Sequence, residues 1–217
     1  IWQSVWLSLS TALLATGLSY FCVMMFLAVM WQRGGVRWLV RALAPLLSVP
    51  HITIAVGLLF LLQPSGWIAR LISPALSGWE RPPIFGIVSD DYGIALIFGL
   101  MVKEIPFLLL MALSGLNQLP AHQWIATSHS LGYGPVSSWC LIVQPNLAPR
   151  LLLAVLIVLI FCVSVVDMAL ILAPTTPPPL SLRVLSWFQD PDLSARFTAS
   201  AGALFHVILA GVTVCLW

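Results

Sequence analysis

Charge is what this chain lacks. Of 217 residues, 9 are Lys or Arg and 7 are Asp or Glu, so charged residues make up 7%, where a soluble globular domain carries about a quarter. That is too little to clothe a water-exposed surface, and the chain reads as a membrane protein. A net charge of +2 with no contiguous basic stripe argues against nucleic acid as a partner. Cysteine is scarce too. Cys22, Cys140, Cys162 and Cys215 form no pair at metal-ligand or redox spacing and are expected to be buried apolar fillers. There is no Gly-x-x-x-x-Gly-Lys-Ser/Thr phosphate loop, which excludes the chain from being an ATPase of that type. Neither Gly-x-Ser-x-Gly nor His-Glu-x-x-His occurs, so a lipid-modifying enzyme finds no clustered machinery. His51 and His206 stand alone in apolar surroundings and are expected to be hydrogen-bonded fillers, and His122 and His129, seven apart, have no third ligand, so no metal site is expected.

Apolar length is what the chain has. Hydrophobic residues make up 60%. The stretches Val5–Met30, Leu46–Leu62, Ile94–Leu113, Leu147–Ala173 and Ala199–Trp217 are each near or above the roughly 17 to 25 residues that cross the hydrocarbon core as a helix. The expected fold is an all-α, polytopic transmembrane helical bundle with about five spanning helices. The first stretch exceeds the roughly 7 to 15 apolar residues of a signal peptide and lacks a basic leader and cleavage site, so it is expected to stay. The chain starts at Ile1 and stops inside an apolar run at Trp217, which reads as part of a longer polypeptide.

The few charges predict topology. Arg33, Arg37 and Arg41 follow the first span without an acidic residue, which puts that loop in the cytoplasm. Arg37 and Arg41, four apart, would share a helix face toward anionic head groups. The loop from Gln63 to Tyr92 then lies outside, its Arg70 and Arg81 balanced by Glu80, Asp90 and Asp91. Asn117 to Pro145 returns inside, and Pro174 to Phe197 lies outside, its prolines favouring an extended turn. Trp2, Trp31, Trp67 and Trp187 fit the aromatic belts at the two interfaces.

The inner polar segment carries the strongest signal. Pro120 suits a first helical turn, Trp124, Ile125, Ser128 and Leu131 recur at helical spacing, and Gly132 is a stop. Gly134-Pro135 then opens a second short helix into the next span. Two linked short helices would offer an apolar ridge that needs something to cover it, a protein partner or the membrane surface.

This segment resembles the Glu-Ala-Ala signature of the inner-membrane permeases of binding-protein-dependent ABC importers, the methionine-permease-like superfamily. The signature is Glu-Ala-Ala, three residues, Gly, nine residues, then Ile-any-Leu-Pro. Gly132, Ile142 and Pro145 keep both spacings. Ala126 stands in place of Glu, Thr127 and Ser128 in place of the two Ala, and Gln144 in place of Leu. Elsewhere Ser8 to Thr16 is similar to the family's first core helix and Leu46 to Pro50 to the Pro-bearing start of its second. Val102-Lys-Glu-Ile-Pro-Phe107 resembles the helix before the coupling loop, Val166 to Leu170 the acidic site after it, and Phe188 to Asp192 the outer loop. Within the superfamily the chain is most similar to fused or paired permeases of the thiamine, iron and polyamine type, and reads as the second half of such a permease.

The resemblance implies that residues 1–217 form one permease domain with a coupling segment at 117–149. The permease would be multi-pass in the bacterial inner membrane, and would move a small solute by alternating access. Trp124, Ile125, Ala126, Thr127, Ser128, Leu131, Gly132, Ile142 and Pro145 would dock an ABC ATPase dimer, which would carry the ATP and Mg²⁺. This chain itself would hold no cofactor. Further partners would be a second permease half, fused, identical or different, a periplasmic solute-binding protein, and the lipid bilayer.

Lys103, Glu104 and Asp167 fall inside expected spans, where a charge costs about 2.5 to 3.5 kcal/mol even on the lenient insertion scale. They should line the translocation path or its gate, or hold helices together, with Asp167 the natural partner of Lys103. The rival reading is an ion- or proton-coupled secondary transporter that uses these three groups as a relay.

Overall fold

The computed structural model describes residues 1–31, 36–73, 78, 88 and 90–216, with only the backbone at 36–40 and 216. Arg33, Glu80, Arg81 and Trp217 lie outside the described residues, as does the side chain of Arg37. The described residues form an all-α polytopic bundle with no strand. In chain order the helices are α1 (Trp2–Met30), α2 (Val36–Ser48), α3 (His51–Leu62), α4 (Trp67–Ile72), α5 (Ile94–Leu116), α6 (Ala121–Ser130), α7 (Pro135–Ser138), α8 (Gln144–Ser164), α9 (Asp167–Leu172), α10 (Leu180–Phe188) and α11 (Ala195–Leu216). A π-helical stretch, Trp139–Val143, joins α7 to α8.

Among the described residues, five segments are long and apolar enough to cross a membrane: Trp2–Met30, His51–Ile72, Ile94–Leu116, Pro135–Ser164 and Ala195–Cys215. The number agrees with the sequence reading, while the second and fourth segments shift at both ends. The second segment begins at His51 rather than Leu46, because Pro50 ends α2 and caps α3. It continues past a break at Gln63, which Pro64 holds in extended backbone (φ −55°, ψ 151°). The fourth begins at Pro135 rather than Leu147 and stops at Ser164 rather than Ala173. Asp167 therefore opens the separate short helix α9 and does not sit inside a spanning helix.

The contacts fall into two compact units. One comprises residues 1–15, 50–100 and 159–217, the other residues 16–49 and 101–158. In the first, α1 buries small and polar side chains beside apolar Val5 and Leu7. Ser4, Ser8, Thr11 and Ala12 are buried, while Trp2 and Trp6 face outward. Small side chains let neighbouring backbones approach, and a membrane offers no reward for hiding large apolar ones. The Ser8 hydroxyl accepts the Leu180 N–H at 2.8 Å, so a residue on α1 caps the first turn of α10. Arg183 donates to Ser4 Oγ at 3.1 Å. Ser181 donates 2.7 Å to the Val165 carbonyl, one of the groups exposed by the break between α8 and α9. Helix α10 was not foreseen in the segment after Pro174, and it packs along α11. Between α10 and α11, Asp192 accepts from Ser194 Oγ (2.7 Å) and N (2.9 Å), and these bonds hold its carboxyl below the usual carboxylate range. Helices α3, α5 and α9 meet at Gly99, where a Cβ would stand 2.6 Å from Leu172 Cδ1 and 3.0 Å from Met168 Cε.

Three side-chain expectations are revised. Of the cysteines only Cys162 is buried, Cys22 is intermediate, and Cys140 and Cys215 are exposed. Trp2 and Trp67 are exposed as belt residues should be, but Trp31 is buried. Both ring nitrogens of His206 are buried with no hydrogen-bond partner among the described residues.

Ser8→Ala leaves the buried Leu180 N–H without an acceptor, which should cost about 1 to 3 kcal/mol. Thermal or denaturant unfolding in mild detergent should show that loss, and Ser8→Thr, which keeps an acceptor oxygen, should recover most of it.

Candidate functional site

The polar segment after α5 is a helical ledge within the second unit. Pro120 precedes α6 and offers its carbonyl to the Gln123 and Trp124 N–H groups at 3.0 and 3.1 Å. At the other end Gly132 takes φ +86°, a left-handed conformation that side chains other than glycine rarely adopt. The Gly132 N–H reaches the His129 carbonyl (3.0 Å) and the Tyr133 N–H reaches the Ser128 carbonyl (3.1 Å). That pair of bonds is a Schellman closure, which satisfies carbonyls the helix end would otherwise orphan. Pro135 then starts α7 at its first helical position.

A buried hydroxyl pair clips the two helices together. Ser128 Oγ lies 2.7 Å from Ser138 Oγ, and Ser138 donates to the Gly134 carbonyl at 2.9 Å. Ala121, Ile125 and Ser128 line the buried face of α6, at helical spacing. The end of α1 also holds this helix, since Trp31 stacks on His122 with ring centroids 5.1 Å apart and planes at 22°. The apolar ridge expected to await an external partner is thus partly covered by the chain itself. Ile125 and Ser128 point inward and Trp124 is half-buried. Ala126 and Thr127 face outward, and Leu131 is 72% exposed beside exposed Gly132, Tyr133 and Val136.

The conserved-spacing end of the segment has its own geometry. Pro145 has no N–H for the Leu141 carbonyl, and the chain widens into the π stretch just before it, with the Gln144 N–H bonding five residues back to Trp139. Asn146 Nδ2 donates to the Ile142 carbonyl at 2.7 Å. Ile142 is half-buried and Pro145 exposed. Trp139, at the start of the stretch, is fully buried. Gln144, where the signature has Leu, hydrogen-bonds the Tyr20 side chain.

Lys103 donates to the carbonyls of Leu46 (3.4 Å), Leu47 (3.2 Å) and Val49 (2.8 Å), at the end of α2. Sequence could not reveal those partners, because backbone oxygens carry no residue signature. Glu104, one residue on, is buried. Asp167 belongs to the other unit and is half-buried. No cluster of three or more His, Cys, Asp or Glu able to hold a metal occurs among the described residues.

The fold and the five apolar segments define a multi-pass helical membrane protein. No family model matches the chain. In an alignment of 214 positions that covers 95% of its length, it is 30% identical to the inner membrane ABC transporter permease protein YnjC of Escherichia coli (strain K12), and it spans 38% of that relative. The similarity to that permease thus runs over nearly the whole chain.

Gly132→Ala forces a methyl group into the left-handed region, at a cost of about 1 to 2 kcal/mol. Hydrogen exchange at the Tyr133 amide, which closes the helix, should accelerate about five- to thirtyfold. Amides in the middle of α8 should keep their wild-type rates.

Proposed function

We propose that the chain is membrane-spanning permease sequence of an ABC importer in the bacterial inner membrane. It would move a small solute by alternating access while a separate ABC ATPase dimer binds ATP and Mg²⁺. The observation that carries this reading is the ledge: two short helices, closed at Gly132 and clipped by Ser128 and Ser138, with Ala126, Thr127, Leu131, Tyr133 and Val136 turned outward. A rigid outward ledge suits mechanical coupling. Force applied at α6 passes to α1 through the Trp31–His122 stack, and to α8 through α7 and the π stretch. Closure of the ATPase dimer would thereby be converted into movement of spanning helices.

A second permease half would complete the pathway, and a periplasmic solute-binding protein would deliver cargo to the side carrying α10. We assign Glu104 and Asp167 to the pathway or its gate, as ionisable groups held in or beside the apolar region. The relay reading draws less support, since the Lys103 ammonium is committed to backbone carbonyls.

The test is purification of the intact protein from its native membrane in mild detergent. An ATP-hydrolysing subunit should accompany the wild type. Gly132→Pro, which cannot reach φ +86°, and the gentler Leu131→Asp with Val136→Asp should lose that subunit while eluting as folded protein. A well-folded wild type that brings no ATPase, with transport that follows an ion gradient without ATP, would overturn the reading.

A further inference from the structure

Helix α2 stops at Ser48 for a reason written in the chain. In a continuing helix the Leu46 carbonyl would receive the N–H of residue 50, but residue 50 is proline and has none. Proline also pushes Val49 away from helical backbone, so the last carbonyls of α2 lose their partners together. Inside an apolar region such groups must be paired, because water is not there to pair them.

Lys103 supplies the pairing. It lies near the middle of α5 (Ile94–Leu116), is only 5% exposed, and points its ammonium at three oxygens from residues 54 to 57 positions away. An ammonium has three N–H donors and no acceptor, so three converging carbonyls match it in number. The end of a helix also carries partial negative charge, which favours a cation there. The N···O distances of 2.8 to 3.4 Å suit hydrogen bonds from nitrogen. They are long for a bare divalent ion such as Ca²⁺, at about 2.3 to 2.6 Å. Unwound carbonyls at the end of a half-helix are where many transporters hold a small coupling cation.

We propose that the α2–α3 break is a monovalent-cation site filled by the chain's own Lys103, which acts as a positioning residue that fixes the break against α5. A primary ammonium is the ligand class that fits. Lys103 then belongs to the scaffold of the pathway and makes no contact with cargo. The positioning role rests on the permease reading, but the cation chemistry does not.

Stability therefore carries the test. In purified intact protein, Lys103→Ala should lower the unfolding midpoint by about 5 °C. Ethylammonium chloride should restore it saturably in the variant and leave the wild type unchanged. Ethanol and tetramethylammonium chloride should not restore the variant, since one lacks charge and the other lacks donors. Adding Pro50→Ala to Lys103→Ala returns an N–H to the Leu46 carbonyl and should recover part of the loss. Should Lys103→Ala fail to fold, Lys103→Met and Lys103→Arg decide. Arg keeps the charge but presents a planar fork, so it should fall between wild type and Met. A Lys103→Met protein with the wild-type midpoint, or rescue by ethanol equal to that by ethylammonium, would overturn the proposal. Rescue as expected in a protein that brings no ATPase would leave the cation site standing and remove the permease reading.

Discussion

Every interruption of a helix in an apolar medium exposes backbone groups that water cannot reach, and unpaired groups there cost several kcal/mol each. This chain interrupts its helices repeatedly, and three of the helix ends so exposed meet a dedicated partner. Lys103 meets the carbonyls at the end of α2, Ser181 meets Val165 between α8 and α9, and Ser8 meets the first turn of α10. Those partners come from distant parts of the chain, so the same bonds that satisfy the breaks also tie the elements together. Breaks and tertiary contacts are one design.

The ledge is organised by a different rule. On the proposed reading its residues would meet a polar medium, where orphaned groups are cheap and what must be secured is shape. Glycine at +86°, proline at the first position of α7 and a buried hydroxyl pair are all devices that remove freedom from the backbone. A helix of ten residues is marginal by itself. Held at Trp31, at Ser138 and by the π stretch, it becomes a fixed feature on which another body can push.

Sequence made the apolar segments legible because hydrophobic length is a local property. It made Gly132 legible because a left-handed stop demands glycine. It did not reveal Lys103's partners, since carbonyl oxygens belong to every residue and the contact spans 54 positions or more. The start of the fourth segment was misread for a related reason: Pro145 and Pro149 look like breakers, yet the chain widens before the first and runs on through the second. Helix α10 was hidden by the prolines ahead of it, although its first-turn donors find acceptors at Ser8 on α1 and at the Val165 carbonyl. Periodicity in α6 located an apolar face correctly but could not say what covers it. Ile125 and Ser128 are covered from within, and Leu131 is not.

That division bears on the absent acidic residue. Ala126 is exposed, so a carboxylate there would have projected outward and could have met a basic group on a docked body. Alanine offers no such charge, and the outward face holds Thr127, Leu131, Tyr133 and Val136 with no ionised side chain among them. Attachment through this face would then rest on apolar burial, which salt barely weakens, where an exposed ion pair is screened within about 8 to 10 Å at physiological strength. At roughly 25 cal/mol per Å² of apolar surface, covering a side chain as exposed as Leu131 repays more than the 0 to 1 kcal/mol typical of an exposed ion pair. The loss of the charge is therefore compatible with firm docking, provided the ledge keeps its shape, and the shape is what Gly132 and the Ser128–Ser138 clip maintain.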